Sequence, residues 1–274
     1  MSRRDIMAQI AQDSIQISEL GEYQIGNRIY KFDTYNDTKF FTDFRHVISE
    51  VNQKPKNSDC KIEVRNEGTV DAIFRLSNGN QKNMSLGVLN FASAYNPGGG
   101  FESGAMAQEE CLAYCSDLYK KQVDGAWDYY EINRANRNPL YTDNMFMSNV
   151  TFFRNGNFTL ISNPTMCNVL TSPAVNMGAI KIRTQQNLDE ARVVMKNRMR
   201  KILYLFAYYD CKDLVLGAFG CGVFANDPND VAKFWYELLY DEGLKGYFDS
   251  ITFSILDRPG TGRGSNIDVF NNYF

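Results

Sequence analysis

Asn90-Phe91-Ala92-Ser93-Ala94-Tyr95-Asn96-Pro97-Gly98-Gly99-Gly100 is followed, after seven residues, by Gln108-Glu109-Glu110. To the left, Leu86-Gly87-Val88-Leu89 is a short apolar run of buried-strand type. To the right, Ala107 to Tyr119 spaces its apolar residues like a helix. The stretch therefore predicts a strand, a glycine loop and a helix. Consecutive glycines free the backbone to enter positive φ and let a ligand approach the main chain. Adjacent carboxylates then stand at the start of the helix, beside those N–H donors. This combination suits holding a phosphorylated sugar and protonating a bond near it. Each half alone has a plain structural explanation, since acids in a first helical turn complement the helix dipole and glycines commonly punctuate strand ends. Their conjunction in one unit carries the functional expectation.

The chain of 274 residues, 44% hydrophobic, has enough apolar material for a substantial core in one large domain or two small ones. With 29 Lys plus Arg against 32 Asp plus Glu, the net charge of −3 argues against a general nucleic-acid binder, whose affinity needs a positive field. No apolar run is long enough for a signal peptide or a membrane span. A cytoplasmic protein is expected, or a nuclear one in a eukaryote, neither secreted nor membrane-bound. Six cysteines, at 60, 111, 115, 167, 211 and 221, form no C-x-x-C pair, so reduced thiols are expected. The one histidine, His46, excludes a His-rich metal site and sits in no motif, so a structural role is expected. Neither metal nor cofactor is expected.

Residues 1 to about 20 read as an amphipathic helix with Ile6, Ile10 and Ile15 inward, ending near Gly21. A hairpin across Gly26-Asn27 follows, then a helix from Phe40 to Val51 and a polar break from Asn52 to Ser58. Residues 1–58 are expected to form an accessory, mainly helical layer on a catalytic unit spanning 59–274. From Lys61 onward, strand-type runs (Ile62 to Val64, Leu86 to Ala92, Asn144 to Phe153, Val169 to Ser172, Leu214 to Leu216, Ile251 to Leu256) alternate with helical ones. The helical runs are Val70 to Leu76, Ala107 to Tyr119, a long helix burying Leu188, Ala191, Met195, Ile202 and Phe206, and Ala232 to Leu239. Such alternation predicts an α/β three-layer fold with a mixed, largely parallel central sheet. Arg192, Lys196, Arg198, Arg200 and Lys201 of the long helix are expected on its solvated face.

A second glycine loop, Gly217 to Ala225, also follows a strand. Gly220-x-Gly222-x-x-Ala225 fits the loose dinucleotide-binding fingerprint. Context excludes that role, because the acidic residue due at the end of a following strand falls instead at Tyr240-Asp241-Glu242-Gly243, in a helix end. Both glycine loops follow strands, so both belong beyond the carboxyl ends of the sheet, where ligands of such folds sit.

The glycine and double-glutamate signature, with Val88 to Ser93, Thr171-Ser172-Pro173-Ala174 and Gly217 to Pro228 in the same order, resembles the bacterial-type branch of the poly(ADP-ribose) glycohydrolases over roughly residues 60 to 256. The resemblance implies a macrodomain fold and hydrolysis of ribose-ribose O-glycosidic bonds, mainly from chain ends, releasing ADP-ribose. It assigns Glu110 as general acid and base and Glu109 as the holder of ribose hydroxyls. Gly98, Gly99 and Gly100 would let the backbone crowd the distal ribose and diphosphate, with Asn90 and Gln108 positioning loop or sugar. Gly220, Cys221, Gly222 and Val223 would wrap the diphosphate, and Phe224 would pack on the distal ribose. Glu67 is a candidate for the adenine amine. The implied partners are poly(ADP-ribose) or ADP-ribosylated macromolecules, met by a monomer without a cofactor. Two alternatives stand beside this: an ADP-ribose reader without turnover, and a hydrolase of mono-ADP-ribosylated protein or nucleic acid. Retention of both Glu109 and Glu110 favours an enzyme.

Overall fold

Ser2 starts the first helix, α1 (Arg3–Leu20), by accepting the Asp5 N–H while the Asp5 carboxylate takes the Ser2 N–H, and Gly21 at φ +67° stops it. The computed structural model describes residues 2–56, 59–180, 184–257 and 265–274. The buried face of α1 is Met7, Ala11, Ser14 and Ile17, not the expected isoleucine stripe, and Ile6 is 45% exposed. Small Ala11 and Ser14 allow a close approach, and the Ser14 hydroxyl donates to Tyr114 O at 2.8 Å. Ile10 and Ile15 pack only at the margins.

The hairpin forms as expected, β1 (Glu22–Ile25) and β2 (Arg28–Lys31) turning at Gly26-Asn27. The helix expected from Phe40 is a correction. Phe40 and Phe41 lie in β3 (Lys39–Phe41), pairing with Phe146 and Met145, and α2 (Arg45–Val51) begins only afterwards. Aromatic residues suit a pleated surface, and an available sheet edge decides the matter. Asn57 and Ser58, where the boundary of the first segment was expected, lie outside the described residues.

The chain continues through β4 (Lys61–Arg65), α3 (Thr69–Ser77), β5 (Lys82–Phe91), α4 (Gln108–Cys115), α5 (Leu118–Gly125), α6 (Trp127–Asn136), β6 (Met145–Arg154) and β7 (Leu160–Ser172). It closes with α7 (Gln185–Tyr208), β8 (Asp213–Leu216), α8 (Pro228–Tyr236), β9 (Ser250–Ser254) and α9 (Asn266–Asn271). The single helix expected over Ala107 to Tyr119 is in fact α4 and α5. Ser116 between them is extended and bridges Phe152, and the Asp117 carboxylate takes the Thr151 N–H at 2.8 Å. Sheet contacts therefore break what helical periodicity would continue.

The strands stand in the order β3-β6-β7-β5-β8-β9-β4, parallel from β7 to β4 and antiparallel at β6 and β3. Alternation along β5 divides the core. Val88 faces Met7, Ile73 and Leu112 of α1, α3 and α4, whereas Leu89 faces the layer holding Ile202 and Phe206 of α7 and Trp235 of α8. The sheet is thus the middle of three layers. Adjacent strands β5 and β8 end at Phe91 and Leu216, so both glycine loops emerge side by side.

Arg198 corrects the solvated-face expectation for α7. It is fully buried, bonded to Asp143 at 3.0 and 2.9 Å and to the carbonyls of Pro173 and Leu140 at 3.0 and 2.7 Å. Arg192, Lys196, Arg200 and Lys201 keep partial exposure and pair with acids. Among the described residues, no helix is long and apolar enough to cross a membrane.

Candidate active site

Two glycines of the first loop take the left-handed region, Gly98 at φ +62° and Gly99 at φ +60°. This curls the backbone over the start of α4. Glu110 Oε1 accepts the Gly100 N–H at 2.9 Å and Oε2 accepts the Ala107 N–H at 3.0 Å, so loop and helix N-terminus grip one carboxylate. A Cβ on Gly99 would lie 2.4 Å from Glu110 Oε1 and 3.2 Å from Glu109 Oε2. Gly99→Ala should therefore displace both carboxylates and lower kcat/KM by roughly 10²-fold, the scale of a misplacement near 1 Å, in steady-state kinetics of a folded variant.

Glu109 is held by three donors: the Ser93 N–H at 2.7 Å, Gln122 Nε2 at 2.9 Å and Asn90 Nδ2 at 3.2 Å. Burial pushes its carboxyl up to about 7, against the lowering effect of these same donors. A carboxyl raised on folding binds its proton more tightly in the folded protein, so its contribution to stability falls as pH rises from about 4.5 to about 7. The melting temperature of wild type relative to Glu109→Gln should decline across that window in pH-dependent thermal denaturation.

Asn90 is fully buried behind Glu109 and also donates to Thr171 Oγ1 at 3.2 Å. Gln108 fastens α4 to the end of β5, accepting the Phe91 N–H at 2.9 Å and donating to Leu89 O at 2.8 Å.

In the second loop Gly220 is at φ +75°, where a Cβ would meet Ala174 Cβ at 2.5 Å. Asn226 Nδ2 closes this loop by donating to Val175 O and Gly220 O at 2.7 and 3.0 Å. Val223 is exposed at the loop tip, while the Cys221 side chain packs against the core beneath the sheet end. The Phe224 ring lies 5.8 Å from Tyr141, which in turn stands edge-on to Tyr95 at 5.4 Å. Tyr141 holds a left-handed backbone at φ +54°, in a loop pinned by buried Arg198.

Between the loops lies a cavity of about 400 Å³, lined by Phe91, Ser93, Asn96, Gly99, Gly100, Gln108, both glutamates, Gly220, Gly222, Val223 and Phe224. Gly98, Asn90 and Cys221 are not part of this lining. A second chamber of about 350 Å³ shares Phe91, Gln108, Ala218 and Gly222 and extends to Glu67 and Asn266. Glu67 is on its wall but engaged by Arg75 at 2.6 Å. The cleft is therefore two-chambered, with paired acids at one side and main-chain donors around it.

Ser93, Gln122, Tyr141 and Asn226 were not among the sequence candidates. Ser93 acts through its main chain, Asn226 closes the second glycine loop from its own end, and Gln122 and Tyr141 reach the site from segments whose placement no local pattern announces.

Residues 8–155 match the family model described as microbial-type PARG, catalytic domain. No curated protein matches the chain. Among solved structures, poly(ADP-ribose) glycohydrolase from Thermomonospora curvata is 33% identical with a TM-score of 0.90, covering 99% of this chain and 100% of that one. The same enzyme bound to the inhibitor ADP-HPD gives a TM-score of 0.87 at 33% identity, with the same coverage of 99% and 100%. The Deinococcus radiodurans enzyme in complex with ADP-ribose is 36% identical with a TM-score of 0.77, over 86% of this chain and 94% of that one. The macrodomain-like architecture expected from the sequence is shared with these structures. With the glycine loops and paired glutamates placed as they are, the chain belongs to the microbial-type poly(ADP-ribose) glycohydrolase family.

Proposed function

We propose that this protein hydrolyses the ribose-ribose O-glycosidic bonds of poly(ADP-ribose) and releases ADP-ribose. The observation carrying this is the Glu110 carboxyl on the cavity wall, fixed at both oxygens by main-chain donors where Gly99 leaves no side chain in the way. Relatives of 33 and 36% identity, solved with the inhibitor ADP-HPD and with ADP-ribose, support it.

Glu110 protonates the departing ribose oxygen as an oxocarbenium-like centre develops at the anomeric carbon, then takes a proton from the attacking water. Glu109 accepts ribose hydroxyls and holds the linkage beside Glu110. The main chain of Gly98 to Gly100 lies against the distal ribose, with Asn90 and Gln108 fixing its support. The turn Gly220, Cys221, Gly222 and Val223 wraps the diphosphate, the Cys221 N–H being bonded to Ala218 O at 3.1 Å within that turn, and Phe224 packs on the distal ribose.

Residues 1–58 serve as an accessory segment to the catalytic unit 59–274, lending it β3 at the edge of the central sheet, and the protein acts as a monomer. Arg4 of that segment donates to Ser103 O at 2.7 Å, just past the glycines, and the enzyme attacks mainly at chain ends. A time course on long polymer tests this. ADP-ribose should appear from the start without intermediate oligomers. Early accumulation of oligomers contradicts end preference, and intact polymer contradicts the activity itself.

A further inference from the structure

Gln122 lies on α5, beyond the helix of the paired glutamates, and is fully buried. Its Oε1 accepts the Gly98 N–H at 2.6 Å and its Nε2 donates to Glu109 Oε1 at 2.9 Å. A peptide N–H only donates, so the contact with Gly98 decides which end of the amide faces the loop. The NH₂ end then faces Glu109, and Glu109 Oε1 must accept. Asn90 Nδ2 donates to the same oxygen and the Ser93 N–H to the other. Donors thus meet both oxygens, two of them on Oε1, and each of these bonds favours the charged form of Glu109.

We propose that Gln122 is a positioning residue for the glycosidic cleavage: it ties the glycine loop to Glu109 and, in the orientation that Gly98 imposes on it, holds Glu109 as a carboxylate toward the sugar. This rests on the function proposed above. The consequence is a link between seating a ligand on the loop and the charge beside it, because a shift of Gly98 frees the amide that favours the charged form of Glu109. Among the described residues, the titratable groups around Glu109 are Glu110 on α4 and Tyr129 and Tyr130 on α6. Burial holds both phenols well above their ordinary value, so they stay neutral. From β5 comes the neutral Asn90. Burial opposes the donors at Glu109, so losing one of them moves its ionisation to higher pH.

The test compares wild type with Gln122→Met, which keeps an unbranched side chain of similar length and removes both hydrogen bonds. Two quantities are followed from about pH 5 to about pH 9: kcat/KM on poly(ADP-ribose) and the Kd of ADP-ribose. The acidic limb of both profiles should move to higher pH by about one unit or more in the variant. Profiles that superimpose on wild type after vertical scaling overturn the proposal, since a merely structural role lowers activity without moving the limb. Should Gln122→Met not fold, Gln122→Glu carries the test. It keeps an acceptor for Gly98, and its protonated carboxyl donates to Glu109 at acid pH, so activity should survive there and fall at least tenfold more than wild type toward alkaline pH. An unchanged profile in that variant overturns the proposal equally. A wild type that binds ADP-ribose without turning polymer over defeats the proposed function, while the Kd profiles still decide the role of Gln122.

Discussion

Glu110→Gln should lower kcat on poly(ADP-ribose) by about 10² to 10⁴-fold, the usual contribution of a positioned general acid and base, while leaving ADP-ribose affinity close to wild type. The side chains match in shape, so steric loss does not explain such an effect. What changes is proton transfer, and with it one hydrogen bond. Glu110 accepts N–H groups at both oxygens, from Gly100 and Ala107. A glutamine can accept only one of these and turns an NH₂ toward the other donor. This mismatch should cost about 1 to 3 kcal/mol of stability. Thermal denaturation beside single-turnover kinetics separates the two effects, and a folded variant of wild-type activity contradicts the role of Glu110.

Arg198→Met should be the most destabilising substitution considered, by about 3 to 5 kcal/mol, because it leaves the buried carbonyls of Pro173 and Leu140 without their donor and Asp143 with Lys201 as its remaining cation. For a chain of this size that corresponds to a fall in melting temperature on the order of 10 °C. Function should suffer by a separate route. Arg198 also pins the loop where Tyr141 holds φ +54° with its ring between Tyr95 and Phe224. A left-handed backbone at a non-glycine residue persists only when its surroundings enforce it. The variant, assayed well below its melting temperature, should therefore show a raised KM with a smaller change in kcat. An unchanged melting temperature contradicts the structural half of this account, and an unchanged KM the functional half.

The central unit was legible because its determinants are local. Leu86 to Ala92, the glycines and Gln108-Glu109-Glu110 specify strand, loop and helix within about 30 residues of chain, and no distant contact is needed to read them. The same holds for the hairpin at Gly26-Asn27 and for the alternation that announced the sheet. What escaped was decided at a distance. Arg198 looks like a surface charge in sequence, and only partners 55 and 58 positions away, Asp143 and Leu140, explain its burial. Gln122 reads as an ordinary polar residue of a helix until the loop bearing Gly98 folds onto it 24 positions away. Phe40 and Phe41 were drawn out of a helix by the open edge of β6, and Ser116 broke another by bridging to Phe152. On α1 the hydrophobic stripe misled because the small residues Ala11 and Ser14 set the closest approach, with Met7 and Ile17 beside them.

The most direct test is to incubate the pure protein and Glu110→Gln with poly(ADP-ribose), resolve the small products by chromatography, and titrate both with ADP-ribose. ADP-ribose released by wild type alone, with both proteins binding it, is the predicted result. Equal release by the two proteins, or binding without release by wild type, would contradict the account.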